Sequence, residues 1–402
     1  GEDDPESIRP KIDYDTLKEW PFEFDGEIVK DKRGLLIPEI TLLMVVKNEA
    51  ETLQAAVESV RSVVDEVIIG VDDSCTDDTE DIALGMADMV FRFRWRRDFA
   101  WARNNALTEV RGKWVMILDG HEELDHASLP MVHILTEGAG DGVSILMGVT
   151  VMNPRSPVEQ GSVFSQPRLF RRLSKHFYKY DTHHQLAGAA DCTRFCPEIR
   201  IYHMMPPDRE QERAKQRGDM NIRNLVRVLT RDPQDERAIF YLANTYNDSG
   251  ETKIASAWYN YHLTISKHDP FKYHSRSQLA AIAISHEDYQ QAREHLHEAH
   301  KLCWYRSETL VALGAVSEHQ GNLGEAEHWY KQAVNIKVPE GSVLFLRQEC
   351  YSWLPWRLLA GVYEKQKQWE QALSAIEKAL EYDPQNTEAL GLHRWYYRNI
   401  NQ

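Results

Sequence analysis

The sequence predicts an α/β domain with a mostly parallel sheet, followed by an all-α repeat solenoid. Three observations predict it. Continuous apolar runs of strand length alternate with segments of helical spacing between residues 37 and 205. Such runs fit strands buried on both faces, as in a sheet covered by helices. From about Glu236 the pattern becomes helix after helix with a recurring set of small and aromatic residues, the signature of stacked repeats. The 402 residues are enough for two cores.

Taken in order, residues 1–36 read as an N-terminal extension. Ile40-Thr41-Leu42-Leu43-Met44-Val45-Val46 is the first buried strand, and Glu51 to Val63 follows at helical spacing. Glu66-Val67-Ile68-Ile69-Gly70-Val71 is a second buried strand and Trp114-Val115-Met116-Ile117-Leu118 another. Met89 to Arg94 alternates instead, placing Arg92, Arg94 and Arg96 on one face. That stripe fits a solvated edge strand or a contact for an anionic acceptor. Residues 206–235 read as a linker helix. Within 236–402, Trp356, Leu359, Ala360 and Tyr363, then Ala372, Ile376, Ala379 and Pro384, outline one helical pair. Leu310, Leu313, Gly314, Gly321, Ala326, Tyr330 and Ala333 outline a second. Leu279, Ala280, Ala292, Leu296 and Ala299 give a third, and Leu242, Ala243, Tyr246, Gly250, Ala255 and Tyr259 a fainter fourth. This pattern resembles tetratricopeptide repeats, which implies a concave surface for a peptide or protein, or a homodimer built on the repeats. Residues 338–354 break the register and read as an insertion.

Composition excludes several classes. No run of about 18 apolar residues exists, so no membrane-spanning helix is expected, and the acidic start does not read as a signal peptide. A net charge of -15 opposes a simple phosphate-tracking nucleic-acid binder. Five scattered cysteines do not form a disulfide framework; they suggest a reducing, cytoplasmic compartment.

The chemistry concentrates where strands end. Ligands in parallel sheets bind at the carboxyl ends of the strands. There the chain places Lys47-Asn48-Glu49, then Asp72 to Thr79, then Asp119-Gly120-His121-Glu122-Glu123, with Asp98 to Asn104 between them. Asp119 and His121 lie two apart on a turn, so one divalent cation can be chelated by carboxylate and imidazole. The mixed oxygen and nitrogen set suits Mn2+ (or Mg2+) better than Ca2+. The alternative for Asp119 is capping the next helix. Asp72 can accept from the imide N–H of uracil, or cap a helix starting near Thr76. Arg103 offers a planar fork to a diphosphate, or a surface ion pair to Asp98.

Together these motifs resemble the family-two inverting glycosyltransferases of GT-A fold, closest to a subgroup with a tetratricopeptide tail. The matching pieces are Lys47-Asn48-Glu49, Asp72-Asp73-Ser74-Cys75-Thr76-Asp77, Asp98 to Asn104 and Leu118-Asp119-Gly120-His121-Glu122. Pro167-Arg168-Leu169-Phe170-Arg171 and Ile201-Tyr202-His203 complete the set, in the family's order. The resemblance implies transfer of a sugar from a nucleotide-sugar, with UDP as the first candidate nucleotide, to an acceptor hydroxyl or thiol. Lys47, Asn48, Glu49, Asp72, Asp73, Asp98, Arg103, Asn104, Asp119 and Arg168 would line the donor site. Asp119, His121 and His203 would hold the metal, and Glu122, His184 or Asp181 would act as general base, with Glu122 favoured because it follows the metal motif.

The chain departs from the family at three points: His121 replaces an aspartate, Ser74-Cys75 replaces Gly-Ser, and His184 stands where a glutamate is expected. The acceptor is expected to be a peptide, protein or glycan presented by the repeats. Two other readings fit the same residues, a transferase acting on hydroxymethylated bases of phage DNA and a catalytically degenerate binding scaffold.

Overall fold

A computed structural model describes residues 23–34, 36–140, 142–152, 162–173, 175–187 and 192–400. Residues 1–22 of the expected extension lie outside the described residues. The chain divides into two compact units. The first comprises 1–148 and 167–199, and the second 149–166 and 200–402.

The first unit begins with strand β1 (Glu27–Asp31), inside the stretch expected to be an extension. There follow β2 (Ile40–Val46), helix α1 (Leu53–Val60), β3 (Glu66–Asp72), α2 (Thr79–Met86), β4 (Met89–Phe93), α3 (Phe99–Leu107), β5 (Trp114–Ile117), β6 (Glu122–Leu124) and α4 (Leu129–Glu137). Next come β7 (Ile145–Met152), β8 (Ser162–Arg171), β9 (Tyr178–Lys179), β10 (Gln185–Leu186) and β11 (Thr193–His203). The main sheet runs β1-β4-β3-β2-β5-β8-β7-β11-β6. Strands β4, β3, β2 and β5 are mutually parallel, whereas β1 and β8 pair antiparallel at either side of them. β2 and β3 are apolar along their length because helices cover both faces; Leu42, Leu43, Met44, Ile68 and Ile69 are fully buried. Each such side chain stabilises by about 1.5–3 kcal/mol relative to exposure.

β4 is not an edge strand. β1 covers it, with Glu27 opposite Arg92. Arg92 pairs with Glu80 on α2, and Arg96 pairs with Asp25 while lying 4.4 Å over the Trp101 ring. The arginine stripe is thus partly spent on structure.

The second unit is helical. The expected linker is helix α5 (Pro207–Arg231), and its Leu225 packs with Ala238 and Leu242, so it is the first layer of the stack rather than a free connector. Four antiparallel pairs follow: α6 (Glu236–Asp248) with α7 (Thr252–Ile265), α8 (Asp269–Ser285) with α9 (Tyr289–Leu302), α10 (Ser307–His319) with α11 (Leu323–Ala333), and, after the short strand β12 (Leu346–Arg347), α12 (Trp353–Lys365) with α13 (Trp369–Tyr382). Helix α14 (Thr387–Ile400) closes the described stack. The small-to-large pairing is literal at Gly314, where a Cβ would fall 2.3 Å from the Tyr330 ring. The insertion has structure of its own: β12 pairs with the first residues of β8, and Phe345 meets Phe164 at 4.7 Å.

Two histidines inside this stack make its stability pH-dependent. His262 is fully buried, with Nδ1 2.9 Å from Ser275 Oγ, and His274 Nε2 lies 2.9 Å from Asn244 Oδ1. Burial pushes His262 down to about 4, with Glu236 opposing and Lys272 assisting. Burial, then Arg306 and His262, push His274 down to about 4 as well. Unfolded histidine titrates near 6.5, so the unfolded chain takes up the protons first. This contribution is whole above pH 6.5 and is lost as pH falls toward 4, about 2–3 kcal/mol per histidine at the acid end. The helical melting temperature followed by circular dichroism is expected to fall through that window, and less steeply in His262→Gln. An unchanged slope in the variant would contradict the assignment.

Candidate active site

Three loops meet at the carboxyl edge of adjacent parallel strands β3, β2 and β5. The loop after β2 opens with Asn48 in left-handed backbone, φ 53°. Its side-chain Oδ1 accepts from Thr76 N at 2.8 Å and from the Cys75 thiol at 3.2 Å, and Asn48 N donates to Cys75 Sγ at 3.3 Å. Glu49 N donates to Thr79 Oγ1 at 2.7 Å. Thus the β2 and β3 loops are stitched together, with the Cys75 thiol at the seam. Asp72 is buried; its Oδ1 accepts from Ser74 N at 2.9 Å and Ser74 Oγ at 2.7 Å, forming an Asx turn. Lys47 Nζ donates to Ser74 Oγ at 2.7 Å and stands 3.6 Å from Asp72 Oδ2. Asp72 therefore shapes its own turn; α2 starts at Thr79, whose N donates to Asp77 Oδ1 at 3.1 Å. The Asp73 side chain is exposed.

Glu49 also reaches the β5 loop. His121 Nδ1 lies 3.0 Å from Glu49 Oε1, both buried. A carboxylate behind one imidazole nitrogen is the arrangement that orients a histidine for coordination through the other. Gly120 permits this closeness: a Cβ there would meet Glu49 Cγ at 2.7 Å.

Asp119 pairs with Arg103 rather than capping a helix, and Arg103 pairs with Asp119 rather than Asp98. The two differ in exposure: the Arg103 side chain is 9% exposed, that of Asp119 42%. Arg103 Nη1 is buried with no hydrogen-bond partner. Burial opposes charge on Asp119, yet Arg103, His121, Arg168 and His184 together hold its carboxyl well below the usual range. Asp98 instead caps α3 by accepting from Trp101 N at 2.8 Å.

Glu122 is not placed as a base. Arg168 from β8 grips both of its oxygens at 2.6 Å, and Asp119 N donates to Oε2 at 2.9 Å. Both side chains are almost wholly buried. The pair is tied to the Asp119 turn from below: both Glu122 oxygens are engaged, and both Nη atoms of Arg168 donate to them. Asn104 is likewise structural: its amide donates to Tyr178 O at 2.8 Å and accepts from Tyr178 N at 2.7 Å, clamping β9 onto α3.

That clamp brings in a residue the motifs do not mark. The Tyr178 ring lies under the Arg103 guanidinium at 5.7 Å and meets His184 edge-on at 5.1 Å. His184 also stacks near Phe99 at 6.0 Å. His184 thus shares a corner with Arg103 and Asp119. Asp181 is tied to the same segment through its carbonyl, which accepts from Phe99 N at 3.0 Å. In the sequence nothing marks Tyr178 beyond its being an aromatic a few residues before the histidine pair. His203 ends β11 in the second unit.

Among the described residues, no set of three or more His, Cys, Asp or Glu side chains is gathered for a metal ion. Asp119 and His121, two apart on the turn after β5, would supply two side-chain ligands. Two such ligands would suit a cation such as Mg2+ or Mn2+, which keeps water and phosphate oxygens in its shell.

Comparisons with known proteins agree with this architecture. The family Glycosyl transferase family 2 matches residues 41–194, and Tetratricopeptide repeat matches 353–386. A TPR repeat-containing protein of Synechococcus elongatus is 26% identical over 325 residues, covering 75% of this chain and 76% of the relative. Protein O-mannosyl-transferase TMTC1 of Homo sapiens is 31% identical over 153 residues, 38% of this chain and 16% of the relative. The SPbeta prophage-derived glycosyltransferase SunS of Bacillus subtilis is 23% identical over 236 residues, 52% of this chain and 54% of the relative. The chain therefore spans about three quarters of the first relative but only about a sixth and about half of the others. No helix among the described residues is long and apolar enough to cross a membrane. Residues 41–194 are a family-two glycosyltransferase domain, and the helical unit that follows carries tetratricopeptide repeats.

Proposed function

We propose that the chain transfers a sugar, with inversion, from a nucleoside-diphosphate sugar to a hydroxyl or thiol of a peptide, protein or glycan. The observation that carries this reading is the buried Arg103 with its unpartnered Nη1 beside the more exposed carboxylate of Asp119. A fixed guanidinium in a dry corner at the carboxyl ends of parallel strands suits a diphosphate. UDP is the first candidate, with the buried carboxylate of Asp72 at the end of β3 as the group that would accept from a uracil imide. A divalent cation held by Asp119 and His121 would neutralise the leaving diphosphate.

The chain's own residues divide the remaining work. Glu49 orients His121, and Glu122 with Arg168 holds the turn. His184 is the base we favour over Asp181, because its ring shares the corner with Asp119 and Arg103 while Glu122 is locked away. As the acceptor oxygen or sulfur attacks the anomeric carbon, the bond to the phosphate oxygen breaks and the diphosphate leaves with the electron pair. The acceptor proton passes to His184. The printed activity of the O-mannosyl-transferase relative, together with the repeats, supports a protein acceptor. The net charge of -15 favours that over a DNA acceptor.

The test is a donor screen by mass spectrometry with UDP-, GDP- and dTDP-sugars in the presence of Mn2+. Wild type is expected to release the nucleotide from one donor, and Asp119→Asn to do so about 100-fold more slowly. Equal, slow release by both proteins from every donor would leave a binding scaffold as the better reading.

A further inference from the structure

The Arg103–Asp119 pair has a consequence for the order in which ligands arrive. Asp119 is the more exposed partner, within reach of a cation, but its carboxylate already holds a guanidinium. Two positive charges cannot share one carboxylate without mutual repulsion. A cation binding there must therefore displace Arg103 or carry compensating negative charge. Arg103 cannot simply move into solvent, because its side chain is buried beneath Asp119 and against the Tyr178 ring. It does have a second donor nitrogen, Nη1, buried and unpartnered. A group with two acceptor oxygens placed beside Asp119 would satisfy that nitrogen and give the guanidinium another anion.

We infer that Arg103 is an exchange residue: it occupies Asp119 until the donor's diphosphate arrives, then transfers to the phosphate oxygens and releases the carboxylate to the cation. The inference rests on the donor and cation site proposed above. With only Asp119 and His121 as paired protein ligands, the cation's remaining ligands would include those same phosphate oxygens. Nucleotide and cation then bind with strong positive coupling, and the coupling is reciprocal. Without nucleotide the site is kept closed to metal by the protein's own cation. Tyr178 has a part in this, since its ring supports the guanidinium in the resting position, and the Asn104 clamp holds that ring in place.

The experiment is Mn2+ binding to the full chain, read by electron paramagnetic resonance of the free ion with and without UDP, and needs no turnover. Wild type is expected to bind Mn2+ weakly alone and much more tightly with UDP. Arg103→Gln is expected to bind Mn2+ alone roughly tenfold more tightly than wild type, since the competing charge is gone. Its gain on adding UDP should shrink correspondingly. Arg103→Lys keeps the charge and should stay as weak as wild type without nucleotide, which guards against a folding defect in the glutamine variant. If wild type shows UDP-enhanced binding that Asp119→Asn abolishes, but Arg103→Gln binds Mn2+ alone no better than wild type, the exchange is wrong. If UDP brings no Mn2+ to wild type, or Asp119→Asn binds it equally well, the underlying site reading fails instead.

Discussion

Replacing Arg168 by methionine is expected to destabilise the glycosyltransferase unit by about 3–5 kcal/mol, because a buried carboxylate is left without its cation. Glu122 is 3% exposed, and both of its oxygens are held by Arg168 at 2.6 Å. Water cannot take over that role at a site closed by β5 and β8. The loss should be largely reversed by Arg168→Met/Glu122→Gln. Glutamine is neutral, and its carbonyl oxygen can still accept from Asp119 N, which now donates to Glu122 Oε2 at 2.9 Å. A leucine at 122 would instead orphan that amide and give back only part of the loss, by about 1–3 kcal/mol. Urea unfolding of the three proteins measures this. A single variant as stable as the double would mean that the pair is solvated, contrary to its burial. The activity of the recovered double variant separates two roles. If the pair only stabilises the fold, turnover returns with stability. If it also fixes the position of the Asp119 turn, turnover stays low in a protein that melts normally.

That pair shows where the chain was legible and where it was not. β2, β3 and β5 could be read because a strand buried on both faces has no polar residues to confuse its pattern. Their ends could be read because polar runs after such strands mark the carboxyl edge of the sheet, where ligands bind. β1 could not. Glu-Ile-Val-Lys-Asp is short and mostly polar, and only its pairing with β4 makes it a strand. The helix α5 read as a linker because charges dominate it, while a few residues such as Leu225 do the packing. At the site, motif order singles out Asp119, His121 and Arg103 but not the side chains they pair with. Glu122 looked like a base since it adjoins the metal motif. Its engagement by Arg168, 46 residues away, follows from the antiparallel register of β5 and β8 and has no local signal. The same holds for Asn104, whose side chain spans 74 residues to Tyr178. Spacing along the chain reveals which residues could do chemistry, and the register between distant strands decides which of them are committed to holding the others.

Gly120→Ala is the smallest change with a large expected effect on the site. The obstacle is steric, since Gly120 is not in the left-handed backbone region. A Cβ would sit 2.7 Å from Glu49 Cγ, 2.9 Å from Glu49 Cβ and 3.1 Å from Val46 Cγ1. Glu49 cannot easily give way. Its Oε1 meets His121 Nδ1 at 3.0 Å, its Oε2 accepts from Thr52 Oγ1 at 3.3 Å, and its backbone is tied to Thr79. Val46 ends the buried strand β2. Overpacking of this kind costs about 1–3 kcal/mol. Displacing the carboxylate also releases the imidazole it orients, and loss of such a supporting contact lowers metal affinity or activity by about 10–100-fold. The glycine here belongs with His121, because the imidazole needs Glu49 behind it and Glu49 needs the space. A double-mutant cycle tests this dependence. Glu49→Gly alone should lose the orientation of His121, and adding Gly120→Ala should then cost little more, because both clashing atoms of Glu49 are gone. Additive losses in Mn2+ affinity and turnover would mean that Gly120 acts on the turn by some route other than Glu49.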